Sequence, residues 1–147
     1  MFHPDLVGIQ ARVLKQLGSR HVMIVHGLDG LDEITLSGPT MIAELKNDHV
    51  EEYQIEPAMF GIKSVPTQAL RASDAAESKA ILLAVLDNQP GPARDIVALN
   101  AGAAIYVSGH SATLKDGISR AFEVLESGAA KQKLDQLAAI SQSFKSN

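Results

Sequence analysis

The segment 92–108 constrains the fold most strongly, because it is small or apolar on almost every side. Proline suits the first position of a helix, and Pro92 stands there. The small residues that follow it are Ala98, Ala101, Gly102, Ala103 and Ala104. A helix with apolar side chains all round is buried, and small side chains let other elements approach its backbone closely. We therefore predict a central helix over 92–108, in which Asn100 hydrogen-bonds a buried partner.

The run 21–26 predicts a buried strand. Its centre, Val22-Met23-Ile24-Val25, is too short for a helix, and such continuous apolar runs are typical of parallel strands that are covered on both faces. The segment 40–55 alternates apolar and polar residues around a polar turn, which predicts a β-hairpin. The segment 4–17 repeats apolar residues at helical spacing. A helix followed by a buried strand favours an α/β architecture.

Further helices are predicted in the second half of the chain. Asp74 can cap the first of them, because Glu77, three residues later, can reach back to the cap. The predicted helices cover 74–88, 113–127 and 128–142. At 147 residues the chain has the length of one domain. We predict a single α/β unit over 1–147, with a partial mixed or parallel sheet, a β-hairpin and packed helices.

Composition excludes several classes of protein. The apolar fraction of 46% and the charged fraction of 20% are ordinary for a globular domain. The net charge of -4 offers no positive field to a nucleic acid, and no apolar run reaches the roughly 18 residues that a membrane span needs. The chain has no cysteine, so disulfides and thiolate metal sites are excluded. The first residues show no export signal, so we expect a cytoplasmic protein that binds neither nucleic acid nor membrane.

Two adjacent carboxylates, Asp32 and Glu33, follow the turn at the end of the predicted strand. Mg²⁺ prefers one or two carboxylates together with substrate phosphates. Open α/β folds bind their ligands at the carboxyl ends of strands. The pair therefore predicts a magnesium site. Two adjacent acids in a turn are also typical of a solvated surface, and the residues alone leave that interpretation open.

Three residues near the pair are candidates for its surroundings. His26, at the strand end, could contact a substrate or a water beside the metal, or could simply be hydrogen-bonded in place. Asp29 could lie behind the direct ligands, although Asp-Gly is foremost a turn signature. Gly27 belongs to a turn that lacks the spacing and the lysine of a phosphate-binding loop. No serine has a paired base in a recognisable motif, so we assign no catalytic residue.

Several longer stretches carry a family resemblance. They are Val25-His26-Gly27-Leu28-Asp29-Gly30-Leu31-Asp32-Glu33-Ile34, Glu56-Pro57-Ala58-Met59-Phe60-Gly61, Asp74-Ala75-Ala76-Glu77-Ser78 and Leu99-Asn100-Ala101-Gly102-Ala103-Ala104-Ile105-Tyr106. Their order and spacing resemble those of anthranilate phosphoribosyltransferase, from about Phe2 to about Leu137. The chain has less than half of that family's usual length. The resemblance implies the C-terminal part of the family's large α/β domain.

The resemblance also implies a function. Enzymes of this family transfer phosphoribose from phosphoribosyl pyrophosphate to anthranilate in tryptophan biosynthesis, and a homodimer is expected. The resemblance assigns Asp32 and Glu33 to the Mg²⁺ that assists the departure of pyrophosphate. The family's phosphate-binding and anthranilate-binding motifs lie upstream of the matched stretch and do not occur in this chain. We therefore expect the isolated fragment to be inactive.

Two other interpretations remain open. Removal of strands from a parallel sheet exposes edges and apolar faces. The chain could therefore be a non-catalytic module that associates with itself or complements a missing N-terminal part. It could also be part of a nucleoside phosphorylase relative, because the two families share an architecture and a fold alone does not define a substrate.

Overall fold

The computed structural model describes residues 3–144, which form three strands and five α-helices around one sheet. The elements are α1 (Val7–Gln16), β1 (His21–Gly27), β2 (Thr40–Lys46), β3 (His49–Ile55), α2 (Ala75–Leu86), α3 (Pro92–Val107), α4 (Leu114–Glu126) and α5 (Ala129–Ser143). Short 3-10 helices lie at Pro4–Leu6, Pro57–Phe60 and Thr67–Leu70. The α/β class is confirmed. Within residues 3–144, no helix is long and apolar enough to span a bilayer.

The sheet differs from expectation in its strand direction. The order is β1-β2-β3, and both pairs are antiparallel, with Ile24 opposite Ala43 and Ala43 opposite Glu52. The described strands therefore form an antiparallel sheet and not a mixed or parallel one. The apolar run of β1 has another cause: α1 packs on one face of the strand, and the main core lies against the other. Residues 21–25 are only partly buried, because β2 lies along one side of β1 only.

Helix α1 covers one face of the sheet with a narrow apolar contact. Val7 and Ala11 are fully buried against Ala43, and Ile24 packs at the margin of this cluster. The predicted helix over 4–17 is divided, because Pro4–Leu6 is a 3-10 turn that leads into α1. The outward face of α1 and of the residues at its two ends carries a second apolar stripe. Its exposed residues are Leu6, Ile9, Val13 and Leu17.

The main core lies on the opposite face of the sheet and includes residues from the loop between β1 and β2. Ile34 and Leu36 belong to this loop, yet only 2% and 1% of their surfaces are exposed. They pack with Ile42 of β2 and Leu99 of α3. We call residues 28–39 the acidic loop. Burial of its second half anchors the loop between the sheet and α3.

Helices α3 and α4 approach each other through two glycines. A β-carbon added to Gly102 would lie 2.5 Å from the Cα of Ile118, and one added to Gly117 would collide with the carbonyl oxygen of Gly102. The small residues of α3 therefore allow the close approach that the sequence predicts. The helix is not buried on every side, because Val97 and Ala101 are exposed on its outward face.

A polar network ties the C-terminal end of α3 to the sheet. The carboxylate of Glu44 on β2 accepts hydrogen bonds from the hydroxyls of Tyr53 and Tyr106, each at 2.7 Å, and from the ring of His21 at 2.9 Å. Lys46 donates to the Tyr106 hydroxyl at 2.8 Å. Burial raises the pKa of Glu44, but the hydrogen bonds that it accepts outweigh burial and hold the pKa below its ordinary value. Glu44 therefore stays charged and fixes α3 on the sheet.

Replacement of Gly102 by alanine tests the close crossing of α3 and α4. Alanine gains about 1 kcal/mol in helix propensity over glycine, whereas overpacking against a backbone costs about 1–3 kcal/mol. We expect Gly102→Ala to lower the free energy of unfolding by up to about 2 kcal/mol, measured by urea denaturation.

Gly8→Ala is the matched control within another helix. The nearest atoms to a β-carbon there belong to the carboxylate end of Glu52, an exposed side chain that pairs with Arg12 and can shift away from the helix. We expect its effect on the free energy of unfolding to be under about 1 kcal/mol. Equal effects of the two substitutions would contradict the crossing described here.

Candidate metal centre

The acidic loop leaves β1 through a tight turn. The N–H of Gly27 donates to the carbonyl of Leu31 at 2.8 Å, and the N–H of Gly30 donates to the carbonyl of Gly27 at 2.9 Å. Gly30 has a φ of +94°, which favours glycine. The N–H of Leu28 donates to the carbonyl of Pro39 at 3.0 Å and closes the base of the loop. The backbone of the acidic loop is therefore held at both ends by main-chain hydrogen bonds.

The carboxylate of Asp29 accepts hydrogen bonds from several hydroxyl groups around this turn. Its Oδ2 accepts hydrogen bonds from Thr35 (2.9 Å), Ser37 (2.6 Å) and Thr67 (2.5 Å). Its Oδ1 accepts the N–H of Leu31 at 3.3 Å. These bonds join the turn to the second half of the acidic loop and to the 3-10 helix at Thr67–Leu70. Both Asp29 oxygens are thereby engaged in organising the loop.

The pKa of Asp29 reports the strength of these bonds. Burial raises the pKa of this carboxyl, but the hydrogen bonds from Ser37, Thr67, Thr35 and the Leu31 N–H lower it from 3.8 to about 2. Hydrogen bonds to the charged form of an acid favour that form. Asp29 is therefore ionised throughout the neutral pH range.

The side-chain amide of Asn100 on α3 fixes the far end of the turn. Its Oδ1 accepts the N–H of Ile34 at 2.9 Å, and its Nδ2 donates to the carbonyl of Ile34 at 3.0 Å. The second Nδ2 proton reaches the carbonyl of Ile96 at 3.0 Å. The prediction that Asn100 satisfies a buried partner is confirmed, because Ile34 is almost fully buried.

Asp32 and Glu33 stand between these two anchors, in a bend that is exposed to solvent. The described residues 3–144 contain no group of three His, Asp or Glu side chains that could hold a metal ion. The pair can thus offer at most two carboxylates, which is the number that Mg²⁺ takes when substrate phosphates and water complete its shell. The donor set fits a magnesium ion that is shared with a phosphorylated ligand.

His26 and Gly27 lie just before the turn, on the buried side of the site. His26 is 5% exposed at the end of β1. A β-carbon on Gly27 would lie 2.6 Å from Asp29 Oδ1 and 3.1 Å from the Thr35 side chain, so glycine leaves the space that the Asp29 carboxylate occupies. Gly27 therefore supports the turn.

Sequence reasoning missed the hydroxyl partners of Asp29. Thr35 and Ser37 follow an Asp-Gly turn at close spacing, which is a usable signal for side-chain hydrogen bonds within a loop. Thr67 is 38 positions away from Asp29, and only the folded chain brings it there. An open depression of about 570 Å³ adjoins this cluster and is lined by Asp29, Ser64, Thr67 and Arg71 among others. Asp32 and Glu33 are outside that lining.

Comparisons with known proteins agree on one family. Residues 1–131 match the family model described as "Glycosyl transferase family, a/b domain". An anthranilate phosphoribosyltransferase from Chromobacterium violaceum is 65% identical over 141 residues, which cover 96% of this chain and 41% of that protein. The chain thus spans about 41% of the length of this relative.

Solved structures of that enzyme share the fold. The anthranilate phosphoribosyltransferase of Thermus thermophilus matches with a TM-score of 0.85 and 34% identity, over 94% of this chain and 40% of that chain. The enzyme of Saccharomyces cerevisiae in complex with PRPP and Mg matches with a TM-score of 0.79 and 27% identity, over 91% of this chain and 39% of that chain.

Replacement of Asp29 by asparagine should change how stability depends on pH. The folded pKa is depressed, so the stabilisation is present above the unfolded value of 3.8 and is lost as pH falls through about 2. At neutral pH we expect Asp29→Asn to be less stable by about 1–2 kcal/mol, through weaker hydrogen bonds. The difference from the unsubstituted chain should shrink between pH 4 and pH 2, measured by urea denaturation across that range.

Asp135→Asn is the control, because it removes one carboxylate from an exposed position of α5. It reproduces the change in net charge without touching the acidic loop. A difference for Asp29→Asn that stays constant down to pH 2 would contradict the hydrogen-bonded carboxylate described here.

Proposed function

The chain belongs to the glycosyl transferase family through its a/b domain, and from that premise we propose that it is the C-terminal part of an anthranilate phosphoribosyltransferase. The proposed reaction transfers phosphoribose from phosphoribosyl pyrophosphate to the amine of anthranilate, a step of tryptophan biosynthesis. The single observation that carries the proposal is the exposed Asp32–Glu33 pair, held on an ordered loop at the end of β1. A cytoplasmic homodimer is the assembly that the family resemblance favours.

Asp32 and Glu33 are the residues that would hold Mg²⁺. When bound, the ion neutralises negative charge on the departing pyrophosphate. The carboxylates contribute hard oxygen ligands, and their exposure leaves room for phosphate oxygens and water around them. Two carboxylates without a cation would repel a diphosphate. The proposed role of this chain is therefore to hold the two metal ligands in a fixed position.

The surrounding residues keep that presentation stable. Asp29 holds the turn before the pair, and Asn100 holds the backbone after it. His26 is buried at the end of β1, and Gly27 leaves space for the Asp29 carboxylate. Preorganised ligands lose less conformational entropy when the metal and the substrate arrive.

The substrate groups need further residues from another part of the enzyme. Phosphates are held by backbone N–H groups and cationic side chains, and the acidic loop offers carboxylates and hydroxyls. The relatives are more than twice as long as this chain, which covers 41% of the Chromobacterium violaceum protein. We propose that the N-terminal part of the same enzyme supplies the phosphate and anthranilate sites.

The surface of the chain supports a partner of this kind. Helix α1 and the residues at its two ends expose an apolar stripe on the side away from the sheet, with exposures of 43% at Leu6, 54% at Ile9, 47% at Val13 and 75% at Leu17. Within residues 3–144, β1 has a strand neighbour on one side only. Exposed apolar helix faces and open strand edges both favour association. The proposed occupant is the N-terminal part of the enzyme, and self-association is the competing outcome.

Reconstitution tests the function and the metal pair together. This chain would be mixed with the N-terminal part of the Chromobacterium violaceum enzyme, and complex formation and Mg²⁺-dependent phosphoribosyl transfer would be measured. We expect a complex that is active and a chain that is inactive alone. The double variant Asp32→Asn/Glu33→Gln should still form the complex, but its turnover should fall about 100-fold, because metal-based stabilisation of the leaving group is lost.

Glu51→Gln/Glu52→Gln is the matched control, since it neutralises another adjacent acidic pair, on exposed positions of β3. It should leave turnover unchanged. Equal losses in the two double variants, or none in either, would remove the metal assignment. A complex without activity would favour the non-catalytic module, and self-association without any complex would refute the proposed partner.

A further inference from the structure

We propose that Asn100 is a positioning residue for the Asp32–Glu33 pair, an inference that rests on the metal role given to that pair above. Asn100 is on α3 and contacts neither carboxylate in any hydrogen bond described for it. It acts on the backbone of Ile34, the residue that follows Glu33. Its effect on the metal would therefore pass through the main chain.

The hydrogen bonds of Asn100 determine its orientation. Both amide protons donate, to the carbonyls of Ile34 and Ile96, each at 3.0 Å, while Oδ1 accepts the Ile34 N–H at 2.9 Å. The opposite assignment of the amide would place an NH₂ group against the Ile34 N–H and an oxygen against two carbonyls. One arrangement alone satisfies all three neighbours, so the amide is locked to α3 through Ile96.

The two anchors enclose the acidic pair on both sides. Before the pair, the carbonyl of Leu31 accepts the N–H of Gly27 at 2.8 Å, and this carbonyl belongs to the peptide that leads into Asp32. After the pair, the N–H of Ile34 belongs to the peptide that leaves Glu33. The peptide units on both flanks of the dipeptide are therefore fixed. Both residues of the pair are exposed, and the peptides that flank them are hydrogen-bonded.

Asn100 lies on a part of α3 that is itself firmly packed. Its neighbour Leu99 is fully buried in the main core, where Ile34 is also packed. The polar network around Glu44 holds the far end of α3 to the sheet. The backbone that carries the acidic pair is thus attached to the core of the protein through α3. Replacement of residues that orient metal ligands without binding the metal typically changes metal affinity about 10–100-fold.

Metal binding to the chain itself tests the inference without any need for turnover. Mn²⁺, a paramagnetic substitute for Mg²⁺, would be titrated into the ¹⁵N-labelled chain, and broadening of backbone amide signals would be followed by NMR. We expect selective broadening at Asp32 and Glu33. In Asn100→Ala, we expect the Mn²⁺ concentration for half-maximal broadening to rise about tenfold, because the backbone after Glu33 is released.

Val85→Ala separates positioning from loss of stability. Val85 is buried on α2, outside the core cluster that contains Ile34, and its truncation lowers stability without touching the acidic loop. It should lower the melting temperature but leave the Mn²⁺ titration unchanged. If Asn100→Ala binds Mn²⁺ as well as the unsubstituted chain, the positioning role is refuted while the metal pair stands. If the unsubstituted chain shows no selective broadening, the metal pair itself is refuted, and the positioning role falls with it.

Discussion

Two hydrogen bonds between the Asn100 side chain and the backbone of Ile34 connect helix α3 to the acidic loop. Ile34 lies in a loop, yet it belongs to the main core, so its own N–H and carbonyl are removed from water and need partners. Asn100 supplies both. An unpaired buried backbone group costs about 1–3 kcal/mol, which is comparable with the cost of ordering one or two residues of backbone. The backbone at Ile34 therefore depends on α3 for its hydrogen-bond partners.

This arrangement separates two tasks that one segment must perform. The carboxylates have to remain in solvent, because a metal that also binds a diphosphate needs open coordination positions. The backbone under them has to be ordered, because a loose loop would lose affinity to conformational entropy. The chain resolves the conflict by placing the pair between Leu31, which Gly27 and Asp29 hold, and Ile34, which Asn100 holds. The exposed pair is thus carried by a backbone that is fixed to the core.

The sequence predicts part of this site because part of it is local. The Asp-Gly turn after the apolar run locates the loop, and the adjacent acids within it suggest a cation. Asn100 within a small-residue helix indicates a buried partner, although nothing local identifies that partner as Ile34, 66 positions away. The hydroxyl of Thr67 was equally unpredictable, because it meets Asp29 only through tertiary folding. The antiparallel direction of β1 was missed because a run of apolar residues reports coverage by α1 and the core, and not the direction of the neighbouring strand.

Backbone order in the acidic loop shows whether its two anchors hold the Asp32–Glu33 pair in place. Amide ¹⁵N relaxation of the chain gives an order parameter for each residue, and rigid backbone has a value of about 0.85. Although Asp32 and Glu33 are exposed, we expect residues 31–34 to be as ordered as the backbone of α3. Values below about 0.6 at these residues, with α3 remaining rigid, would contradict this expectation.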